Sequence, residues 1–319
     1  MPESNSPSPT VPFRVHGEFV ATMSHPFADS KVNEIVTCDA PLAPLTWLSL
    51  GGPAQFLARP RQVDDLRELI RIANANAIPW RVLAGGFNVL VRDQGVNGLV
   101  IHLISPAFSD IEIQGKSVHV GSAVPLTALI SQTARAGLSG LEQLTGVPGT
   151  VGGAVKSSAA TRVVTLEPLI RRLTLMDVDT DIVTMERQDL APGQSWADLV
   201  ERDVILDVEL ELTPDNPESV VKRMRNVWIL KKEHQPYGHQ ASACIFRDPK
   251  PDRTAESLIE QAGLKGSRIG GAEVSVRNAN YIVVEPNCQP GDVLRLIDLI
   301  RGEVERQFRF ELTLRLEVW

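Results

Sequence analysis

The order of its predicted elements makes this an α+β chain, and three observations carry that reading. Residues 64–104 read as helix, strand and strand. Residues 105–213 are dominated by alternating hairpin patterns. The last third mixes three helices with one long alternating stretch.

In the first segment, DDLRELIRIANANA (64–77) places Leu66, Leu69, Ile70 and Ala73 on one helical face. Asp64 or its neighbour is expected to cap that helix. Pro79 ends it, and WRVLA (80–84) and residues 99–104 read as buried strands. In the second segment, Ile111, Ile113, Val118 and Val120 alternate around Gly115-Lys116, the pattern of a hairpin. Residues 125–136 form a short helix closed by Gly137. A second hairpin turns at DVDTD between Leu173, Leu175 and Ile182, Thr184, and residues 204–212 alternate as a sheet strand. The third segment opens with a helix over 217–233 carrying Val220, Val221, Met224, Val227 and Trp228 inward. A helix over 254–262 stops at Gly263, and one over 292–308 turns Val293, Ile297, Ile300 and Val304 inward. The closing FELTLRLEVW reads as one strand, with Phe310, Leu312, Leu314, Leu316 and Val318 on one face. These breaks predict a disordered or extended tail over 1–36 and units over 37–104, 105–213 and 214–319.

Composition removes several classes. The 319 residues are 43% hydrophobic and 22% charged, with a net charge of −7, as in ordinary globular chains. No basic stripe exists for nucleic acid, and the pairs Arg171-Arg172 and Lys231-Lys232 read as solvated faces. No apolar run is long enough to span a bilayer, and no signal-type segment follows the polar start MPESNSPSPT. The 3 cysteines, Cys38, Cys244 and Cys288, are too few and too scattered for a disulfide framework, which suggests the cytoplasm. His234 and His239 lack ligand company, so no metal is predicted. A monomer is expected.

Two glycine-rich turns carry the chemistry. Ala84, Gly85, Gly86, Phe87 and Asn88 follow a strand, and small residues there let backbone N–H groups face a phosphate. The same residues also read as a plain turn between two strands. The stretch GVPGTVGG (146–153) holds four glycines in eight residues, which is costly in a plain loop. Close approach of a polyanionic dinucleotide explains it, although the spacing is not that of the G-x-G-x-x-G fingerprint.

The residues GGPA (51–54), AGGFNVLV (84–91), GLSGLEQLTGVPGTVGGAV (137–155) and ESLIEQAGLKGSRIGGAEVSVRNANYIV (256–283) resemble the UDP-N-acetylenolpyruvoylglucosamine reductases, over roughly residues 40–319. The resemblance implies a two-domain FAD-binding module of the vanillyl-alcohol-oxidase type and a smaller C-terminal α/β substrate domain. It implies that NADPH reduces FAD, and that hydride then passes to the enolpyruvyl double bond of a UDP-sugar in peptidoglycan precursor synthesis. An acid protonates the carbanion-like centre. Cofactor contacts are implied at Gly51, Gly52, Ala84, Gly85, Gly86, Phe87, Asn88, Val89, Leu90, Gly146, Val147, Pro148, Gly149, Thr150, Gly152, Gly153 and Val155. Substrate contacts are implied at Gln235, Arg247, Asp248, Lys265 and Asn280.

The catalytic positions depart from the family pattern. The family's donor serine corresponds to Cys244 in ASACIFRDP (241–249). A thiol can donate a proton, and its pKa lies closer to neutrality than a hydroxyl's; the alternative is a buried inert cysteine. The motif's asparagine is Asp248. The family's Tyr-Arg pair falls on Gln194 and Ser195, and its C-terminal glutamate on Arg315, with Glu317 two residues further along the same face. Arg315 or Arg162 is then the candidate for the missing cation. The first turn has Phe87 where the family has serine, and residues 157–164 have lost the family's glycines. Three readings follow: a working reductase with Cys244, Arg315 and Glu317 at its centre, a flavin-binding relative that has lost this reaction, and a scaffold without flavin. The intact GVPGTVGG argues against the third.

Overall fold

A computed structural model describes residues 25–158, 165–200, 202–236, 241–250 and 252–319. The first region contains β1 (Val36–Pro41), β2 (Pro53–Ala58), α1 (Val63–Ala75), β3 (Trp80–Leu83), β4 (Val89–Leu90) and β5 (Val96–His102). Its sheet runs β1-β2-β5-β3, with β5 parallel to both β2 and β3. Leu66, Leu69, Ile70 and Ala73 of α1 are buried, as their spacing requires. The cap differs from expectation. Gln62 is the N-cap residue without a side-chain bond, and the Asp65 carboxylate instead accepts from the Arg61 amide at 3.0 Å. In β3 only Leu83 is fully buried, because β3 is the edge of its sheet. Residues 25–36, expected in the tail, are ordered: Phe27 and Val32 are buried, and Phe27 meets Phe56 edge-on at 5.3 Å. The rest of that expected tail lies outside the described residues.

The second region contains β6 (Ile111–Gln114), β7 (Ser117–Gly121), α2 (Leu126–Arg135), β8 (Leu138–Ser139), α3 (Val151–Lys156), β9 (Ile170–Met176), β10 (Ile182–Glu186), α4 (Trp196–Leu199), β11 (Val204–Glu211) and β12 (Thr213–Pro214). The sheet β10-β9-β11-β7-β6 is antiparallel throughout, and both hairpins form where the alternation puts them. Val118, Val120, Leu173, Leu175, Val208 and Leu210 bury one face of it.

The last region contains α5 (Pro217–His234), β13 (Ser242–Cys244), α6 (Ala255–Gln261), β14 (Arg268–Ile269), β15 (Ala272–Val274), β16 (Tyr281–Val284), α7 (Pro290–Phe308) and β17 (Glu317–Val318). The sheet β13-β16-β15-β14 is covered by α7, whose Val293, Ile297, Ile300 and Val304 are buried. Helix α5 packs backwards, against α2 and residues 142–144. Arg223 fixes it there, reaching the buried Glu142 carboxylate at 2.9 Å and Asp215 at 2.6 Å. Val220 is buried on that side, but Trp228, expected inward, is 45% exposed. Eighteen residues span about 27 Å and the ten of α2 about 15 Å, so the last turns of α5 run past their support.

The closing stretch is not one strand. Leu312 and Leu316 are buried as the alternation predicts, and Leu314 bridges Phe246. The chain then bends at residues 315–316, and β17 pairs in parallel with β4. Among the described residues no helix is long and apolar enough to cross a membrane.

Candidate active site

The two glycine turns face each other as the lips of one cavity of about 950 Å³. A Cβ on Gly85 would lie 3.5 Å from the Gly149 Cα, and one on Gly153 would lie 3.5 Å from the Ala84 Cβ. Gly86 has φ +65°, and a Cβ there would sit 2.0 Å from the Leu45 carbonyl oxygen, so its missing side chain lets the turn pack on Leu45 while its amide stays in the cavity wall. Gly149 has φ +119°, open to glycine alone, and its missing side chain leaves clear space in the cavity. Among the described residues no protein acceptor takes the amides of Gly85, Gly86 or Gly149. The Ser122 hydroxyl, buried in the wall, also has no partner there. Thr150 caps α3 by accepting from the Gly153 amide at 3.3 Å. A cradle of unpaired donors without side chains fits the pyrophosphate of a dinucleotide.

Of the expected cofactor contacts, Ala84, Gly85, Gly86, Phe87, Asn88, Val89, Gly146, Val147, Pro148, Gly149, Thr150, Gly152 and Gly153 line the cavity. Gly51, Gly52, Leu90 and Val155 do not. Cβ atoms on Gly51 and Gly52 would strike Val91 and the Asp93 carbonyl oxygen, so these glycines serve backbone packing. Leu90 and Val155 are core residues. Asn88 spends its side-chain donor on the Arg315 carbonyl at 2.7 Å rather than offering it to a phosphate. The Phe87 ring lies against Trp47, with centroids 4.6 Å apart.

The opposite wall holds the reactive side chains. Cys244 ends β13, opposite Tyr281 of β16. Burial pushes its thiol pKa up, and Asp248 and Glu256 add to this, while the Arg315 guanidinium beside it pulls the other way. The thiol therefore stays protonated at neutral pH and retains a proton to give. Arg315 is held by its backbone from two sides: its amide donates to the Ile245 carbonyl at 2.7 Å, and its carbonyl accepts from Asn88. Glu317 also lines the cavity, beyond the bend, and accepts from the Trp319 indole at 3.2 Å.

Of the expected substrate contacts, Gln235, Arg247, Asp248 and Asn280 reach the cavity. Two of these are already committed to structure. The Asp248 carboxylate accepts from the Ala255 amide at 2.9 Å, at the positive end of α6. The Asn280 side chain brackets the Phe246 backbone, accepting from its amide at 3.0 Å and donating to its carbonyl at 2.9 Å. Lys265 lies away from the cavity and pairs with Glu260 at 2.6 Å. Gln194 is exposed, and Ser195 caps α4 with Asp198, so neither reaches the cavity. Arg162 and most of residues 157–164 lie outside the described residues.

The sequence reading missed Lys231, one half of a pair it assigned to solvent. On α5, Val227, Lys231 and His234 share the face that reaches the cavity, while Lys232 is exposed. Burial, with Arg315 nearby, pushes the Lys231 ammonium down to about 8. The i, i+4, i+7 spacing was a visible signal, hidden because the same helix changes partners midway.

Glycine lips facing a wall of reactive side chains define a flavin-dinucleotide-binding fold of the vanillyl-alcohol-oxidase type, here joined to a C-terminal lobe. A family model described as an FAD binding domain matches residues 54–186. A model described as UDP-N-acetylenolpyruvoylglucosamine reductase, C-terminal domain, matches residues 235–319. The UDP-N-acetylenolpyruvoylglucosamine reductase 1 of Bacillus cereus is 32% identical over 296 residues, 90% of this chain and 98% of its own. The reductase of Syntrophobacter fumaroxidans is 36% identical, covering 87% of this chain and 82% of its own. The crystal structure of the reductase from Thermus caldophilus superposes with a TM-score of 0.72 at 33% identity, covering 88% of this chain and 97% of its own. The chain belongs to the UDP-N-acetylenolpyruvoylglucosamine reductase family of FAD-dependent oxidoreductases.

Proposed function

We propose that this chain reduces the enolpyruvyl ether of UDP-N-acetylglucosamine to UDP-N-acetylmuramate, with NADPH as reductant, in the cytoplasm. The observation that carries the reading is the placement of the Cys244 thiol beside Arg315 in the wall of the cavity that the glycine turns also line. Bound FAD would supply hydride transfer between the nicotinamide and the enolpyruvyl carbon. The unpaired amides of the two turns and the Ser122 hydroxyl would hold its phosphates and fix its orientation. Hydride addition at the methylene carbon leaves negative charge on the adjacent carbon and its carboxylate. The Arg315 guanidinium stabilises that charge, and Cys244 gives its proton to the carbon. Asn280 keeps the Cys244–Arg247 stretch in register by bracketing Phe246. The nucleotide substrates and the three free thiols Cys38, Cys244 and Cys288 support a cytoplasmic setting.

Anaerobic mixing tests this. NADPH should bleach the bound flavin, and the enolpyruvyl sugar nucleotide should restore its colour. A flavin that stays reduced would mean a relative that kept the cofactor and lost the reaction. Cys244→Ala should slow the second phase by roughly 10²–10⁴-fold and leave the first unchanged. Cys244→Ser should recover much of the rate, since a hydroxyl at the same site also donates.

A further inference from the structure

We propose that Lys231 is a specificity-determining residue: with Arg315 it forms a two-cation seat for the carboxylate of the substrate. This inference rests on the reductase reading above and adds a residue to it.

Lys231 and Arg315 come from unconnected elements, the last turn of α5 and the bend before β17, and both line the cavity that contains Cys244. Arg315 is the shared neighbour, since its charge acts on both the Cys244 thiol and the Lys231 ammonium. Among the described residues neither cation has a carboxylate within ion-pairing distance, whereas Arg223, two turns earlier on α5, holds both Glu142 and Asp215. Three of the carboxylates lining the cavity have other engagements, and the fourth, Asp203, lies near Lys156. Asp248 accepts from the first amide of α6, Glu317 accepts from the Trp319 indole, and Glu256 has its own partner. Arg247 adds further positive charge.

Two like charges in one half-enclosed cavity repel each other, and each has lost part of its hydration. A single anion between them relieves both penalties. The cavity's position beside a proton donor favours a carboxylate adjacent to the carbon being protonated. There the same pair would meet the charge that develops during reduction. Lysine suits this seat, because its flexible stem can follow a ligand while the Arg315 backbone is held at both its amide and its carbonyl.

The test uses the oxidised holoenzyme without NADPH and reads binding from the perturbation of the flavin's visible spectrum. The probes are the enolpyruvyl sugar nucleotide and its methyl ester, which lacks the negative charge. The wild type should bind the acid about tenfold or more tighter than the ester, the scale of one charge-assisted hydrogen bond. Lys231→Met, which leaves Arg315 alone, should cut that ratio severalfold, and Lys231→Arg should retain it. A merely structural role would weaken both ligands equally, so an unchanged ratio in Lys231→Met overturns the seat. Equal binding of acid and ester by the wild type overturns it as well. If neither ligand perturbs the wild-type flavin, the reductase reading itself fails and the seat goes with it.

Discussion

The two walls of the cavity are made in opposite ways. The cradle wall is backbone: Gly85, Gly149 and Gly153 bring the two turns together by having no side chain, and Gly86 and Gly152 let those turns pack on Leu45 and Ser122. The opposite wall is side chains, with Cys244, Lys231 and Arg315 brought together from three elements. A backbone wall grips phosphates whatever the chemistry, whereas a side-chain wall selects the reaction. Substitutions should therefore separate into changes that release the cofactor and changes that leave it bound.

The largest effect should come from the cradle. Gly86→Ala puts a Cβ against the Leu45 carbonyl at φ +65°, where alanine is strained as well as crowded. A loss of about 2–3 kcal/mol in urea unfolding is expected, together with loss of bound flavin. Wild-type flavin content in that variant would remove the distinction between the walls. Asp248→Ala, on the other wall, should cost about 1 kcal/mol through the lost bond to the first amide of α6 while Thr254 still caps the helix and the protein stays yellow.

Lys231 gives a smaller effect of opposite sign. Its pKa is about 8 in the folded protein against an ordinary 10.5. Between those values the unfolded chain holds a proton that the folded chain has released, so stability rises with pH across that window. Below it the folded protein keeps a poorly hydrated charge. Lys231→Met should therefore unfold at a higher temperature than wild type at neutral pH, with the gap closing as pH rises from 8 to 10.5. Thermal scans across that range check the sign. Lys265→Ala, which removes a half-exposed pair with Glu260, should change stability by less than about 0.5 kcal/mol and leave substrate KM unaltered.

The same contrast decides what the sequence reveals. Glycines 146–153 are legible because a backbone wall is local: adjacent positions share one constraint, and the run stands out. Gly51 and Gly52 show the limit, since an absent side chain looks alike whether a phosphate or the Asp93 carbonyl approaches. Lys231 was hidden because its neighbours in sequence do not tell which way α5 faces once it passes α2. The closing stretch misled for a related reason. Its alternation holds through Leu316, but alternation records burial and not which strand is the partner, and the partner changes at the bend. Asn280 and Asp248 were expected as substrate contacts by resemblance, and both line the cavity. Their bonds to Phe246 and Ala255 are invisible without the fold.

The hydrogen bond from Asn88 to Arg315 joins residues 227 apart, and β4 has its parallel partner in β17. Pairing so distant in sequence closes late, because the intervening chain must lose its freedom before the contact is rewarded. The first glycine lip is thus among the earliest parts synthesised and among the last completed. Flavin capture becomes a closing event in folding, and the free energy of cofactor binding is shared with the C-terminal lobe. Loss of flavin should loosen residues 310–319 before it disturbs the antiparallel sheet of the middle region.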